Sequence, residues 1–413
     1  MSNTENADDD DDAAADNGDD GRTTVLPPGI VESRNIIDPS KSNREISSEI
    51  RAFLSSSGDG TGRTGGLRSE IRSFFTVWMF VSRLPSPSHV DLHPGYLMRG
   101  MSYFPVAGSI LGAACSIVYD SLSASVGLPP AASATIAVSF GLSLTGCFHE
   151  DGLADTFDGM GGWSRSQVLK IMTDSRVGTF GVASLCMFLL LKVQLLGHLG
   201  ASRYVAWGGS SGAGPAILAA QTLSRLSAPY LIRTRDYVAE VGPKSPFYLF
   251  MVEAKHIVTW PRVCFAAAYA FAVCSALYGP AFAAALLSAV LASSHAAGSR
   301  GDYLLGGVMG DYLGCTICLC EVVVLTLIAA RGPIVEIRRA IEGSLLAEGG
   351  SLEGFSRDPV RQLAALYGND RLRPLANLAL LMAALKLWCT FVGPPDMYDR
   401  EDEKKKEDAG KKD

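Results

Sequence analysis

Three aspartates stand within the run His149-Glu150-Asp151-Gly152-Leu153-Ala154-Asp155-Thr156-Phe157-Asp158-Gly159. At 100° per helical residue, Asp151, Asp155 and Asp158 fall within about 60° of one another, so one helix face carries three carboxylates. Carboxylates crowded together repel unless a cation neutralises them. Hard oxygens that leave room for water and phosphate are what Mg²⁺ prefers, and the spacing predicts a Mg²⁺ and diphosphate site. The bland alternative is an acidic loop kept solvated between two apolar segments. His149 points away from the carboxylate face if the helix reaches back to it. It is open to three roles: general base, hydrogen-bond donor to a substrate, or local structural partner.

The surrounding residues suit a site built on helices. Gly152 has no Cβ to keep a ligand off the backbone, and Gly159, Gly161 and Gly162 end the helix. Ser164 and Gln167 form a capping box for a second helix that runs through Asp174. Val168, Ile171 and Met172 give that helix one apolar side, so it is expected on a bilayer surface. The run Asp174-Ser175-Arg176-Val177-Gly178-Thr179-Phe180-Gly181 then leads into an apolar stretch, with Arg176 a candidate bidentate donor to a phosphate oxygen.

Such a site needs elements to hold it, and the composition points to membrane helices. Of 413 residues, 48% are hydrophobic and 19% charged, too apolar for an ordinary soluble protein. Apolar windows at about 102–119, 131–147, 178–200, 204–222, 262–278, 280–298, 312–330 and 375–393 are long enough, or nearly so, to cross a bilayer. Phe74 to Val81 is shorter and reads as interfacial. The expected fold is all-α: a polytopic integral membrane bundle with amphipathic interfacial helices. Residues 1–70 form an acidic arm, opening with Asp8 to Asp12 and too polar to order; 71–395 form the membrane domain; 396–413 form a charged tail. The segment 149–177 is the acidic loop. The segment 331–374 is an extra loop in which Ile334, Ile337, Ile341 and Leu345 mark a surface helix. The nine cysteines lack a disulfide framework, and Cys315, Cys318 and Cys320 lack a fourth ligand for zinc. The net charge of -6 comes largely from the ends, and no basic footprint suggests nucleic acid. Which membrane holds the chain is open, and so is a homo-oligomer.

The acidic run, taken with Asp174 to Gly181, resembles the signature of the cobalamin synthase family, also called adenosylcobinamide-GDP ribazoletransferase. Phe80-Val81-Ser82-Arg83-Leu84-Pro85, Ser102 to Gly108 and Gly306 to Gly314 agree as further ordered blocks, covering about residues 74–330. The departures are Met309, where the family tends to carry Thr, and Cys318 with Glu321, where it carries two glutamates. The resemblance implies attack by a hydroxyl of α-ribazole, or of its 5′-phosphate, on the cobinamide-side phosphorus of adenosylcobinamide-GDP. GMP leaves, and adenosylcobalamin or its phosphate results. On this basis Asp151, Asp155 and Asp158 would hold Mg²⁺. Arg176, Arg83 and Arg225 would meet phosphate, with Asp174, Asp311 and Glu321 as further substrate contacts.

Each of these has a structural alternative. Arg83 and Arg225 can snorkel from helix ends. Glu321 lies inside an apolar helix, where an acid faces a cavity or a partner, and Lys192 is its candidate partner. Gly310 and Gly314 form a small-xxx-small packing pair. Two other functions compete. A CDP-alcohol phosphatidyltransferase requires the pattern D-G-x-x-A-R, which this chain does not meet. A transporter using Glu321 and Lys192 leaves the acidic loop without a purpose.

Overall fold

The computed structural model describes residues 66–88, 90, 94–201, 212–238 and 257–347, the last seventeen by backbone alone. The acidic arm up to residue 65, the window 375–393 and the tail 396–413 lie outside them. The described elements are helices: α1 (Leu67–Val81), α2 (Pro94–Gly100), α3 (Phe104–Asp120), α4 (Pro130–Thr145), α5 (Phe148–Gly159), α6 (Arg165–Met172), α7 (Thr179–Ala201), α8 (Ala213–Ser224), α9 (Ser227–Thr234), α10 (Trp260–Tyr278), α11 (Pro280–Leu305) and α12 (Gly310–Ala347). Among the described residues the only β-pairing is one bridge, Tyr237 with Val308.

Five helical stretches are long and apolar enough to cross a bilayer: Gly95–Val126, Thr179–Ala201, Trp260–Tyr278, Pro280–Leu305 and Gly310–Ala330. The chain is a multi-pass membrane protein. Two expected spans come out differently. The window 131–147 becomes α4, whose sixteen residues rise about 24 Å, short of a hydrocarbon core of roughly 30 Å. Gly146 and then Cys147 adopt left-handed backbone at φ 66° and 60°, and α5 leaves at 90° to α4. Of the window 204–222, only the part from residue 212 is described, and it belongs to the twelve-residue α8. The surface helix expected after residue 331 is not separate, because α12 continues unbroken from the membrane to Ala347.

Contacts between helix ends fix one end of the bundle. Glu70 on α1 pairs with Arg262 at the start of α10 at 2.7 Å, and Tyr103 donates to the same carboxylate at 2.7 Å. Arg235, just past α9, pairs with Asp302 near the end of α11. The main chain of Asp236 and Val238 then bonds Val308 at 2.9 Å, while the Tyr237 hydroxyl accepts the Gly310 N–H at 3.0 Å. Three bonds thereby hold the loop and the first residue of α12, and α12 starts where they place it.

The interior is not wholly apolar. Lys192 on α7 meets Glu321 on α12 at 2.8 Å, both nearly without solvent, so the partner considered for Glu321 is the one it has. Gln221 also donates to Glu321, at 2.5 Å, and Arg225, 2% exposed, bonds the backbone and side chain of Gln221. Small residues admit this polar seam: Gly108 and Gly112 on α3 lie directly against Gln221, with Arg225 also over Gly108. Removing one member of a buried ion pair strands the other charge, whereas replacing both need cost little. Lys192→Met alone is expected to lower stability by about 3–5 kcal/mol. Lys192→Met with Glu321→Met should recover most of it, as read by thermal unfolding in detergent.

Candidate active site

The acidic run folds as expected from its spacing, and its start is buried. α5 opens at Phe148; His149 and Glu150 face the interior at 4% and 7% exposure, while Asp151 is exposed and Asp155 half-buried. The helix therefore has an inward wall and an outward carboxylate face. α6 begins with Ser164 accepting the Gln167 N–H at 3.3 Å, as the capping pattern predicts. The Gln167 side chain returns a bond to the Trp163 N–H at 3.0 Å. Val168, Leu169 and Met172 bury against the rest of the bundle.

Asp311, at the first turn of α12, joins the acidic face. A Cβ on Gly152 would stand 2.5 Å from the Asp311 carbonyl oxygen and 2.9 Å from its Cα, so α5 and α12 touch backbone to backbone. Gly314 lies against His149 in the same way, at 3.3 Å. The lack of a Cβ at Gly152 thus serves a helix crossing. Gly314 is the packing glycine the sequence suggested.

The crossing crowds the carboxylates. Burial and the charges of Asp151, Asp311 and Asp158 together push the Asp155 carboxyl up to about 7. Among the described residues no basic side chain pairs with Asp151, Asp155 or Asp311, and no three His, Cys, Asp or Glu side chains converge on a common ion position. The donor set fits Mg²⁺ in kind: hard oxygens with unbalanced negative charge. It is not a closed protein cage. Mg²⁺ commonly takes one or two carboxylates and leaves its other positions to water and substrate phosphate, so an open set is compatible with it.

Asp158 has a use that its spacing did not reveal. Its two oxygens accept the N–H groups of Gly178 and Gly181 at 2.7 Å each, holding α5 to the N-terminus of α7. A Cβ on either glycine would overlap this carboxylate, which accounts for both glycines in the run that follows Arg176. Arg176 forms a fork on Asp174, with Nη2 at 2.6 Å and Nε at 2.9 Å, and its side chain is 87% exposed. That pairing lowers the Asp174 carboxyl to about 2. The two sit together in the loop between α6 and α7, open to solvent. Arg83 is exposed and lies over Gly146 at the end of α4, while its N–H bonds the Leu144 carbonyl at 2.8 Å. Arg225 and Glu321 belong to the buried seam.

The structure thus gathers Asp151, Asp155, Asp158 and Asp311, leaves Arg176, Asp174 and Arg83 at the edge, and buries Arg225 and Glu321. Glu150 and Tyr237 were not anticipated. Glu150 lies inside the quoted run but its burial has no signal in it, and Tyr237 acts through a hydroxyl bond across 73 residues.

The model of the cobalamin-5-phosphate synthase family matches residues 73–329. This chain belongs to that family. It is 36% identical over 268 residues to the adenosylcobinamide-GDP ribazoletransferase of Ralstonia nicotianae, covering 64% of this chain and 97% of that protein. The like-named protein of Ralstonia pickettii is 35% identical over 263 residues, covering 63% and 95%. That of Shewanella oneidensis is 40% identical over 172 residues, covering 41% and 63%. No solved structure matches. Family membership stands against the phosphatidyltransferase and transporter alternatives.

Asp158→Asn keeps shape but halves the acceptor capacity at the start of α7. It should cost about 0.5–2 kcal/mol of stability, the scale of a lost helix cap. Asp151→Asn should leave the unfolding temperature unchanged or raise it, since it relieves repulsion. A thermal unfolding comparison of the two purified variants separates the roles.

Proposed function

We propose that this chain is an adenosylcobinamide-GDP ribazoletransferase that uses Mg²⁺. The observation that carries the reading is the carboxylate cluster where α5 crosses α12, in a chain of a family whose relatives bear that name. An acceptor hydroxyl of α-ribazole forms a new O–P bond to the cobinamide-side phosphorus. The bridging P–O bond breaks, GMP departs with that oxygen and the electron pair, and the hydroxyl proton is released.

One or two carboxylates from Asp151, Asp155 and Asp311 would hold the metal, the rest of its positions falling to water and substrate phosphate, with Asp158 fixing the helix that carries the first two. Bound Mg²⁺ would neutralise the diphosphate and the charge gathering on the departing nucleotide. The protein's own task is placement. α5 and α12 set the carboxylates where the two helices cross. Arg176 lies two residues before Gly178, one of the partners of Asp158, and can exchange Asp174 for a phosphate oxygen at little cost, since the exposed pair is worth little. His149 lies on the opposite wall of α5, so the reading gives it no proton from the acceptor.

Two outcomes test the proposal. GMP should appear from adenosylcobinamide-GDP only when α-ribazole or its 5′-phosphate is present, and Asp155→Asn should cut the rate roughly 10²- to 10³-fold without unfolding the protein. The metal requirement should also depend on pH. An Asp155 carboxyl titrating near 7 is protonated below that value, so protons compete with Mg²⁺ on the acid side. The Mg²⁺ concentration for half-activity should fall roughly tenfold per pH unit up to about 7 and level off above it. A flat profile in the wild-type enzyme would remove Asp155 from the metal set.

A further inference from the structure

The inward wall of α5 borders an apolar cavity that the transfer chemistry leaves without a role. Phe80 and Phe148 stand edge to face across part of it, 4.8 Å apart, and Met98, Met101, Phe104 and Ile317 line the remainder. Gly310, next to Asp311, forms one side, so the cavity adjoins the carboxylate cluster. Among its lining side chains only His149 is polar. Its ring meets Phe148 at 5.4 Å, and its Nε2 is buried without a hydrogen-bond partner.

Those properties narrow the occupant. An unmet buried polar nitrogen is costly, which favours a ligand that meets it. His149 also borders the polar seam of Glu150, Lys192, Gln221 and Arg225, so its ring stands between two cavities; within the apolar one a water would meet a single polar side chain, short of the two to four partners it needs. An anion finds no cationic side chain in the lining. Edge-on aromatic rings and thioethers favour a flat aromatic group, and a single imidazole nitrogen favours a heterocycle with one free ring nitrogen.

We propose that this cavity receives the heteroaromatic base of the acceptor nucleoside, its unsubstituted ring nitrogen on His149 and its sugar directed past Gly310 toward Asp311. The proposal rests on the ribazoletransferase reading. It adds how the acceptor is held: by its base in an apolar chamber, with the 5′ end of the sugar outside. His149 is then a binding residue, and the nucleoside and its 5′-phosphate share the same grip.

The test uses the full chain in detergent and the free base 5,6-dimethylbenzimidazole as probe, its binding read by equilibrium dialysis. Ala228→Phe fills the cavity from α9, where Ala228 is 1% exposed, and His149→Leu removes the polar contact while keeping bulk. The wild-type protein should bind the base, and each variant should bind it at least tenfold more weakly. In the GMP-release assay KM should rise at least tenfold for α-ribazole and by the same factor for its 5′-phosphate, with KM for adenosylcobinamide-GDP unchanged. Should Ala228→Phe fail to fold, His149→Leu alone decides. If the wild-type enzyme releases GMP while base binding and acceptor KM are unchanged in the variants, the cavity assignment is overturned and the ribazoletransferase reading stands. If no acceptor elicits GMP, that reading fails, and the cavity is judged on base binding alone.

Discussion

Two helices touching without side chains between them set the geometry of the acidic face. Gly152 on α5 rests on the backbone of Asp311, and Gly314 on α12 rests on His149, so the axes approach closely at the start of each helix. A methyl group at Gly152 would press the helices apart and take Asp311 away from Asp151 and Asp155, while one at Gly314 would make a tight contact with His149. The loop leading into α12 is itself tied by Tyr237 and Val308, and α5 is tied to α7 through Asp158. Removing any one of these ties loosens the partner surfaces of the others. The like charges can remain crowded because helices, not the carboxylates, carry the cost of bringing them together.

α5 divides its residues by face with little waste. At helical spacing, His149 and Glu150 turn inward while Asp151 and Asp155 turn outward, although all four lie within seven residues. The inward pair sits beside the seam of Lys192, Glu321, Gln221 and Arg225. Paired charge is tolerated in a helical membrane bundle where an isolated charge is not, because each member supplies what lipid cannot. Arg225 and Glu321 are accordingly buried in the seam, away from the open face where a diphosphate would arrive.

Much of this was legible in the sequence where local rules apply. The outward placing of Asp151 and Asp155 follows from 3.6-residue periodicity, the cap at Ser164 from its spacing to Gln167, and the long apolar windows from the thickness of a bilayer. What escaped was set by distant partners. Asp158 looked like a third member of the carboxylate face because periodicity reports direction and not what lies there. Its partners, Gly178 and Gly181, follow twenty and more residues later. Their spacing at the head of an apolar helix was the available signal, since glycines there leave N–H groups open to a carboxylate. Asp311 could be seen as an acid at a helix start, but its meeting with Asp155 depends on which helices cross.

The break between α4 and α5 shows why a window of hydropathy misled. Residues 131–147 are apolar enough to suggest a crossing, yet Gly146 and Cys147 both take left-handed backbone, and a non-glycine residue holds that conformation only under constraint from its surroundings. Arg83 supplies part of it, lying over Gly146 and bonding Leu144. The right-angle turn lays α5 against the first turn of α12, with Gly152 on Asp311. The bend brings the aspartates against Gly310 and Asp311, so a left-handed pair of residues at the end of one helix places the acidic face on another.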